Sequence, residues 1–221
     1  MNFLESRIRQ YVRSHDVHGA KSLYKKLVVP IYTLAAVPVY DITASTHYKY
    51  TWFRIPKNGT HSIMRMLGAI APPEVNSSFV PYFRRDHEKN FRFCVIRNPW
   101  DRLVSVYCNK VLMKLMFKEC WNRDFEYFIE FVSKQTLTKC DAHLRLQTSM
   151  FPVSDVDFVA RMEHFDEDIA TILRRIGVDA SVEHEGHVEH PDYHTYYTTA
   201  LRDKVADLYD VDIRYGGYTY S

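Results

Sequence analysis

Cysteine is sparse in this chain, and the four present, Cys94, Cys108, Cys120 and Cys140, form no CxxC pair and no compact framework. That excludes a small disulfide-stapled scaffold and a paired-cysteine zinc site. Cys94 falls within an apolar run and reads as a small buried side chain. The set reads as reduced thiols of a cytoplasmic protein, with a Cys120–Cys140 bridge as the alternative. Charge of one sign is also lacking: the formal net charge is only +2, without the global basic field of a dedicated nucleic-acid binder. The apolar run at 27–40, LVVPIYTLAAVPVY, is short and broken by Pro30 and Pro38, which argues against stable membrane insertion. The N-terminus has no signal-peptide pattern, and neither repeats nor low-complexity tracts occur. No GxxxxGK[ST] run exists, so the standard nucleoside-triphosphate loop is missing.

What is present is apolar substance: 46% of 221 residues, too much for disorder and enough for one α/β domain with a sizeable core. We expect an N-terminal helical arm over 1–45 and an α/β domain over 46–221. Within the arm, Phe3, Leu4, Ile8, Tyr11 and Val12 recur among basic residues at roughly helical spacing. Such a helix covers the domain, with a partner or a membrane surface as alternatives. Helices are predicted at 61–69, 100–118, 124–135, 166–176 and 199–209, with Gly177 ending the fourth. Strands are predicted near 48–55, 91–96 and 156–161. Alternation of the two kinds implies a central parallel sheet flanked by helices. Local basic clusters, Lys21 with Lys25 and Lys26, and Arg84 with Arg85, read first as solvated faces and second as an anion-binding rim.

Two segments carry the chemistry. Tyr48–Ile55 (YKYTWFRI) is rich in aromatic and β-branched residues, as a buried strand should be. Pro56 ends its ladder, and Asn58-Gly59 is a turn in which Gly59 can take positive φ and admit an anion to the backbone. Thr60 suits the N-cap of the following helix, whose free amides and the Lys57 ammonium would face a phosphate. In the second segment Phe91–Ile96 (FRFCVI) fits a parallel strand covered on both faces. Arg97 then lies beyond its carboxyl end, where ligands of open α/β sheets sit, and Pro99 suits the first turn of a helix. Ser105 lies two turns into that helix and can share a ligand with Arg97 only if the helix runs past the anion. The plainer alternatives are a strand–turn–helix with a solvated lysine, an Arg97–Asp101 ion pair, and a serine facing water.

The pair resembles a known family. IPKNGTHSI is similar to the 5′-phosphosulfate loop of sulfotransferases, and RNPWDRLVS resembles their 3′-phosphate motif, in the carbohydrate branch that includes the chondroitin and heparan sulfate 2-O enzymes and small bacterial relatives. DAHLRLQTSMF (141–151), VDFVARMEHFDEDIATILRRIG (156–177) and YYTTALRDKVADLYDVDIRYGGY (196–218) resemble that branch's later segments in the same order. The resemblance implies a P-loop-like three-layer fold and transfer of a sulfuryl group from 3′-phosphoadenosine 5′-phosphosulfate (PAPS) to a hydroxyl of a glycan or small-molecule acceptor. It also implies 3′-phosphoadenosine 5′-phosphate as product, and no metal. Arg54, Lys57, Asn58, Gly59, Thr60, His61, Ser62, Arg97 and Ser105 are the implied nucleotide contacts. Animal relatives carry an N-terminal Golgi anchor, so this chain is expected as a cytoplasmic bacterial or viral form, or else as a soluble luminal one.

Two departures stand out. His61 occupies a loop position where relatives have threonine, and EVNSSFVPYF (74–83) lacks the histidine of the 2-O enzymes. Lys57 is expected to neutralise the leaving phosphate. The proton acceptor is expected to be a histidine. His143 is preferred as base or acceptor-positioning residue because DAHLRLQTSMF resembles the branch's His-x-x-x-Gln segment; if helical, it shares one face with Gln147. His61 is second, and His87 precedes its strand and so falls at the wrong sheet end. His184, His187, His190 and His194 invite a zinc site, but Gly186 and Pro191 break the helix that their spacing requires, so they read as loop residues. Glu163 and Asp168 read as structural or nucleotide-framing. A nucleotide-dependent phosphotransferase and a non-catalytic nucleotide-binding relative are the rival functions.

Overall fold

The computed structural model describes Tyr32 and residues 37–178 and 192–220. Most of the expected N-terminal arm therefore lies outside the described residues. Among the described residues five strands form one sheet: β1 (Val39–Ser45), β2 (Tyr50–Phe53), β3 (Val75–Pro81), β4 (Phe91–Ile96) and β5 (Phe158–Arg161), in the order β3-β1-β2-β4-β5. The three strands expected from sequence are β2, β4 and β5, and they are mutually parallel, with Tyr50 opposite Phe91 and Phe93 opposite Phe158. The sheet as a whole is mixed, which corrects the parallel expectation. β1 runs antiparallel to both β2 and β3. It is also a strand, not part of a helical arm: residues 46–49 turn it back onto β2, with Lys49 at φ 53°.

Among the described residues six α-helices accompany the sheet: α1 (Thr60–Ile70), α2 (Pro99–Val106), α3 (Phe125–Ser133), α4 (Phe165–Arg175), α5 (Thr199–Leu208) and α6 (Asp210–Gly216). Strand alternation sends Tyr50, Trp52, Phe93 and Val95 to one face, where Ile63 and Leu67 of α1 and Ile169 and Leu173 of α4 cover them. Phe53, Cys94 and Ile96 point to the other face, against Tyr82, Met150 and Phe151. A second core lies among α2, α3 and α5, with Leu103, Phe128 and Val205 fully buried. Burying each such side chain is worth roughly 1.5–3 kcal/mol.

The single helix expected over 100–118 does not form. α2 passes at Tyr107 into a π-helical segment, Tyr107–Leu112, and the chain then turns at Lys114 (φ 53°) and Phe117 (φ 57°). Gly177 follows α4 at φ 75°, the left-handed stop expected of it. His87 sits in a short turn of helix before β4, bonded to Thr51 Oγ1 at 2.9 Å and stacked on Tyr82. All four cysteines are free thiols, so no Cys120–Cys140 bridge forms. Among the described residues no helix is long and apolar enough to cross a membrane.

α6 is tied to the sheet's carboxyl end through a buried carboxylate. Asp212, only 2% exposed, accepts from the amides of Gln147 (2.7 Å) and Thr148 (2.9 Å) and from Thr148 Oγ1 (2.8 Å). Removing it strands two amides without partners. We expect Asp212→Ala to cost about 3 kcal/mol and to lower Tm by about 6–12 °C. An unchanged melting curve would show that these bonds do not hold the segment.

Candidate functional site

Because β2 and β4 are parallel neighbours, the loops leaving them emerge at the same end of the sheet. Residues 54–59 connect β2 to α1, and two of them, Lys57 (φ 74°) and Gly59 (φ 70°), adopt left-handed backbone. For a lysine that conformation costs about 1–2 kcal/mol and needs outside support. Asn58 supplies it. Its side chain is 1% exposed and donates to Val95 O and Gln147 Oε1, both at 2.7 Å. Gly59 has no room for a side chain: a Cβ would lie 2.9 Å from Phe165 Cε2 and 3.0 Å from Met162 Sδ.

The cap of α1 differs from expectation. Gly59, not Thr60, is the N-cap, no side chain caps the helix, and its first turn contains no acidic residue. Thr60 instead turns its hydroxyl back to donate to Ile55 O at 3.0 Å. An eleven-residue helix thus begins with amides that an anion could engage. His61 is exposed in that first turn and Ser62 is half-buried.

Arg97 follows β4 directly and is held on both sides of its peptide unit by one side chain. Gln147 Oε1 accepts from Arg97 N (3.0 Å), and Gln147 Nε2 donates to Arg97 O (2.8 Å). The Arg97 guanidinium donates to Lys57 O at 3.1 Å and to Asp101 at 2.6 Å. The ion pair with Asp101 and the approach to the lysine loop therefore coexist. Ser105 is not solvent-facing as its plainer alternative supposed; it is 4% exposed on α2. Glu163 accepts from Asn98 N at 2.6 Å and so fixes the turn between Arg97 and α2, while Asp168 accepts from Arg161 N at 2.7 Å.

Positive charge accumulates here beyond what Asp101 offsets. Burial, then the Lys110 and Arg97 charges, push the Lys57 ammonium down to about 8. Arg102 is 1% exposed and donates to the carbonyls of Pro56 (3.2 Å), Ala142 (2.9 Å) and Arg145 (2.9 Å). Burial lowers its pKa too, against the attraction of Tyr209 and Asp212. A site that disfavours its own lysine cation is one in which an arriving anion is favoured.

His143 is not helical. It lies in a turn, while Gln147 lies in a separate single turn over Gln147–Ser149, so the two do not share a helix face. His143 N (2.9 Å) and Nδ1 (2.8 Å) both meet Asp141 Oδ1. Burial raises the Asp141 carboxyl, but the hydrogen bonds from His143 outweigh it and leave the pKa low. An ionised carboxylate only accepts, which puts a proton on His143 Nδ1; in the neutral ring the lone pair is then on Nε2. Arg54 is anchored away from the loop: its guanidinium donates to Ser77 O of β3 at 2.7 Å. His194 pairs with Asp192 at 2.5 Å, whereas His184, His187 and His190 lie outside the described residues. Among the described residues no group of three or more His, Cys, Asp or Glu side chains is placed to hold a metal ion.

Three contributors escaped the sequence. Arg102 sits inside the RNPWDRLVS motif, yet nothing in one sequence marks it as buried. Asp212 lies in the 196–218 segment and Lys110 in the helix predicted over 100–118, yet neither is marked by its neighbours as serving the site. Gln147 was visible as part of DAHLRLQTSMF, but its service to both loops was not.

The sulfotransferase family model matches residues 40–219. No curated protein and no solved structure matches the chain significantly. With the match spanning most of the chain, and covering both the lysine loop and the arginine turn, this protein belongs to the sulfotransferase family and is an enzyme of sulfuryl transfer.

Proposed function

We propose that the chain moves the sulfuryl group of PAPS to a hydroxyl of a carbohydrate acceptor. The observation that carries this is the meeting of the two cation-bearing loops: the Arg97 guanidinium donates to the carbonyl of Lys57, beside an α1 terminus without a side-chain cap. A nucleotide phosphorylated at both ends of its ribose needs two anion sites at one end of a sheet. The α1 amides with Lys57, Asn58, Gly59, Thr60, His61 and Ser62 would hold the 5′-phosphosulfate. Arg97 and Ser105 would hold the 3′-phosphate, whereas Arg54, bonded to Ser77 O of β3, would stand apart from the nucleotide contacts. The β2–loop–α1 unit beside parallel β4 is in keeping with a P-loop-like arrangement. Four free thiols suit a reducing compartment such as the cytoplasm.

PAPS supplies a sulfuryl group on a good leaving group, so the protein's task is positioning and charge. The Lys57 ammonium neutralises charge that builds on the departing phosphate oxygen. The acceptor hydroxyl loses its proton to His143 Nε2, whose ring Asp141 orients in the manner of a carboxylate–histidine pair. His61, at the α1 terminus, is the second choice for that proton. A carbohydrate acceptor is supported by the likeness of the later segments to the carbohydrate branch.

Three outcomes follow for the purified enzyme. At equal concentration 3′-phosphoadenosine 5′-phosphate should raise Tm more than 5′-AMP does. The 3′-phosphate should add roughly tenfold to a hundredfold in affinity through a charge-assisted fork, and Arg97→Ala should erase that margin. Equal shifts in the unmodified enzyme would remove Arg97 and Ser105 from this role. His143→Ala should lower kcat by about 10²–10⁴ while bisphosphate affinity survives; undiminished turnover would pass the role to His61. The third concerns pH. Lysine is charged below its pKa, so bisphosphate affinity should fall as pH rises through about 8, and Lys57→Arg should flatten the profile. Calorimetric affinities that stay level between about pH 7 and pH 9 in the unmodified enzyme would place Lys57 outside the contact.

A further inference from the structure

Between Asp101 and Asp124 the chain carries Arg102, Lys110, Lys114, Lys118 and Arg123 against one acidic residue, Glu119. Inside that stretch Leu112, Met113 and Leu115 are 52%, 68% and 63% exposed. Three large apolar side chains turned to water within four positions need a reason. Slack in the loop is not it. Lys114 N donates to Val111 O (2.9 Å), Leu115 N and Met116 N both donate to Lys110 O (2.9 and 3.0 Å), and Trp121 Nε1 donates to Met116 O (2.9 Å). Left-handed turns at Lys114 and Phe117 send Phe117 inward against Phe128 and Phe131, while Leu112, Met113 and Leu115 stay outside. The fold builds this protrusion and keeps it out.

Charge decides what covers it. The N-terminal segment 3–27 carries Arg7, Arg9, Arg13, Lys21, Lys25 and Lys26 against Glu5 and Asp16, so it would meet the lysines with like charge. A second copy offering the same face would do so too. The complement is a surface that is anionic outside and apolar within. Trp121, with Lys118 lying 5.8 Å from its ring, is the residue pair that favours such a boundary.

We propose that residues 110–121 dock the protein on an anionic lipid bilayer, with Leu112, Met113 and Leu115 entering the headgroup region and Lys114 and Lys118 facing lipid anions. This stands apart from the donor assignment. Where both hold, the donor site lies close to the docking face, since Lys110 at the base of the protrusion is near enough to act on the Lys57 charge.

The test is sedimentation of the full chain with vesicles of phosphatidylcholine alone or mixed with phosphatidylserine. Binding is expected only to the mixed vesicles. Lys114→Gln with Lys118→Gln should weaken it roughly 30-fold, and Leu112→Ser with Met113→Ser and Leu115→Ser roughly tenfold or more. Since Trp52 and Trp100 are 1% and 4% exposed, a blue shift of tryptophan emission on vesicle addition would report Trp121. These side chains face solvent, so both variants should keep the parent Tm. No binding to the anionic vesicles, or equal binding by the triple serine variant at unchanged Tm, overturns the proposal; the second outcome would assign the binding to the basic segment 3–27.

Discussion

One side-chain amide joins the parts of this site. Gln147 offers Oε1 to Asn58 of the lysine loop and to the Arg97 amide, and Nε2 to the Arg97 carbonyl. Its own backbone amide is held by Asp212 of α6. A two-faced amide suits this place because it is neutral and both donates and accepts. A charged residue there would add to an already crowded field. Arg102 reinforces the joint by donating to carbonyls on both sides of it, at Pro56 and at Ala142 and Arg145. The lysine loop, the arginine turn and the 141–149 segment therefore move as one unit.

Rigidity of this kind has an electrostatic purpose. Lys57, Arg97, Arg102 and Lys110 are near enough for each of the other three to lower the Lys57 pKa. In water such cations would separate or recruit counterions. Here backbone geometry and a buried hydrogen-bond network hold them, so repulsion is met during folding and not when an anion arrives. The left-handed Lys57 is part of that expense. Its backbone is tolerable only because Asn58 is pinned beneath it.

Legibility in the sequence followed the range of the interactions. β4 could be read because FRFCVI is apolar at every position but Arg92 and is stopped by Arg97, Asn98 and Pro99. Lys57 and Arg97 could be placed because each lies just past a strand end, a local relation. β1 was hidden: VYDITAS follows Pro38 and carries Asp41 inside it, so it blended into the preceding segment. β3 was hidden because an edge strand with Asn76, Ser77 and Ser78 shows no apolar alternation. Gln147 lies 89 residues from Asn58 and 50 from Arg97, beyond any local pattern. The helix pictured around His143 gives way to a turn partly because Arg102, 40 residues from Ala142 and 43 from Arg145, bonds the carbonyls on either side of it.

The change of helical pitch at Tyr107 has a consequence for how the molecule can vary. Each residue of an α-helix advances the side-chain direction by about 100°, and a π segment absorbs one surplus residue without ending the rod. A one-residue loss within Tyr107–Leu112 would therefore be taken up inside the segment, and the positions that follow would keep nearly their azimuth. The same loss within α2 would swing the apolar spur through the full angle. The wider winding thus acts as a length buffer between the arginine turn and the outward leucines.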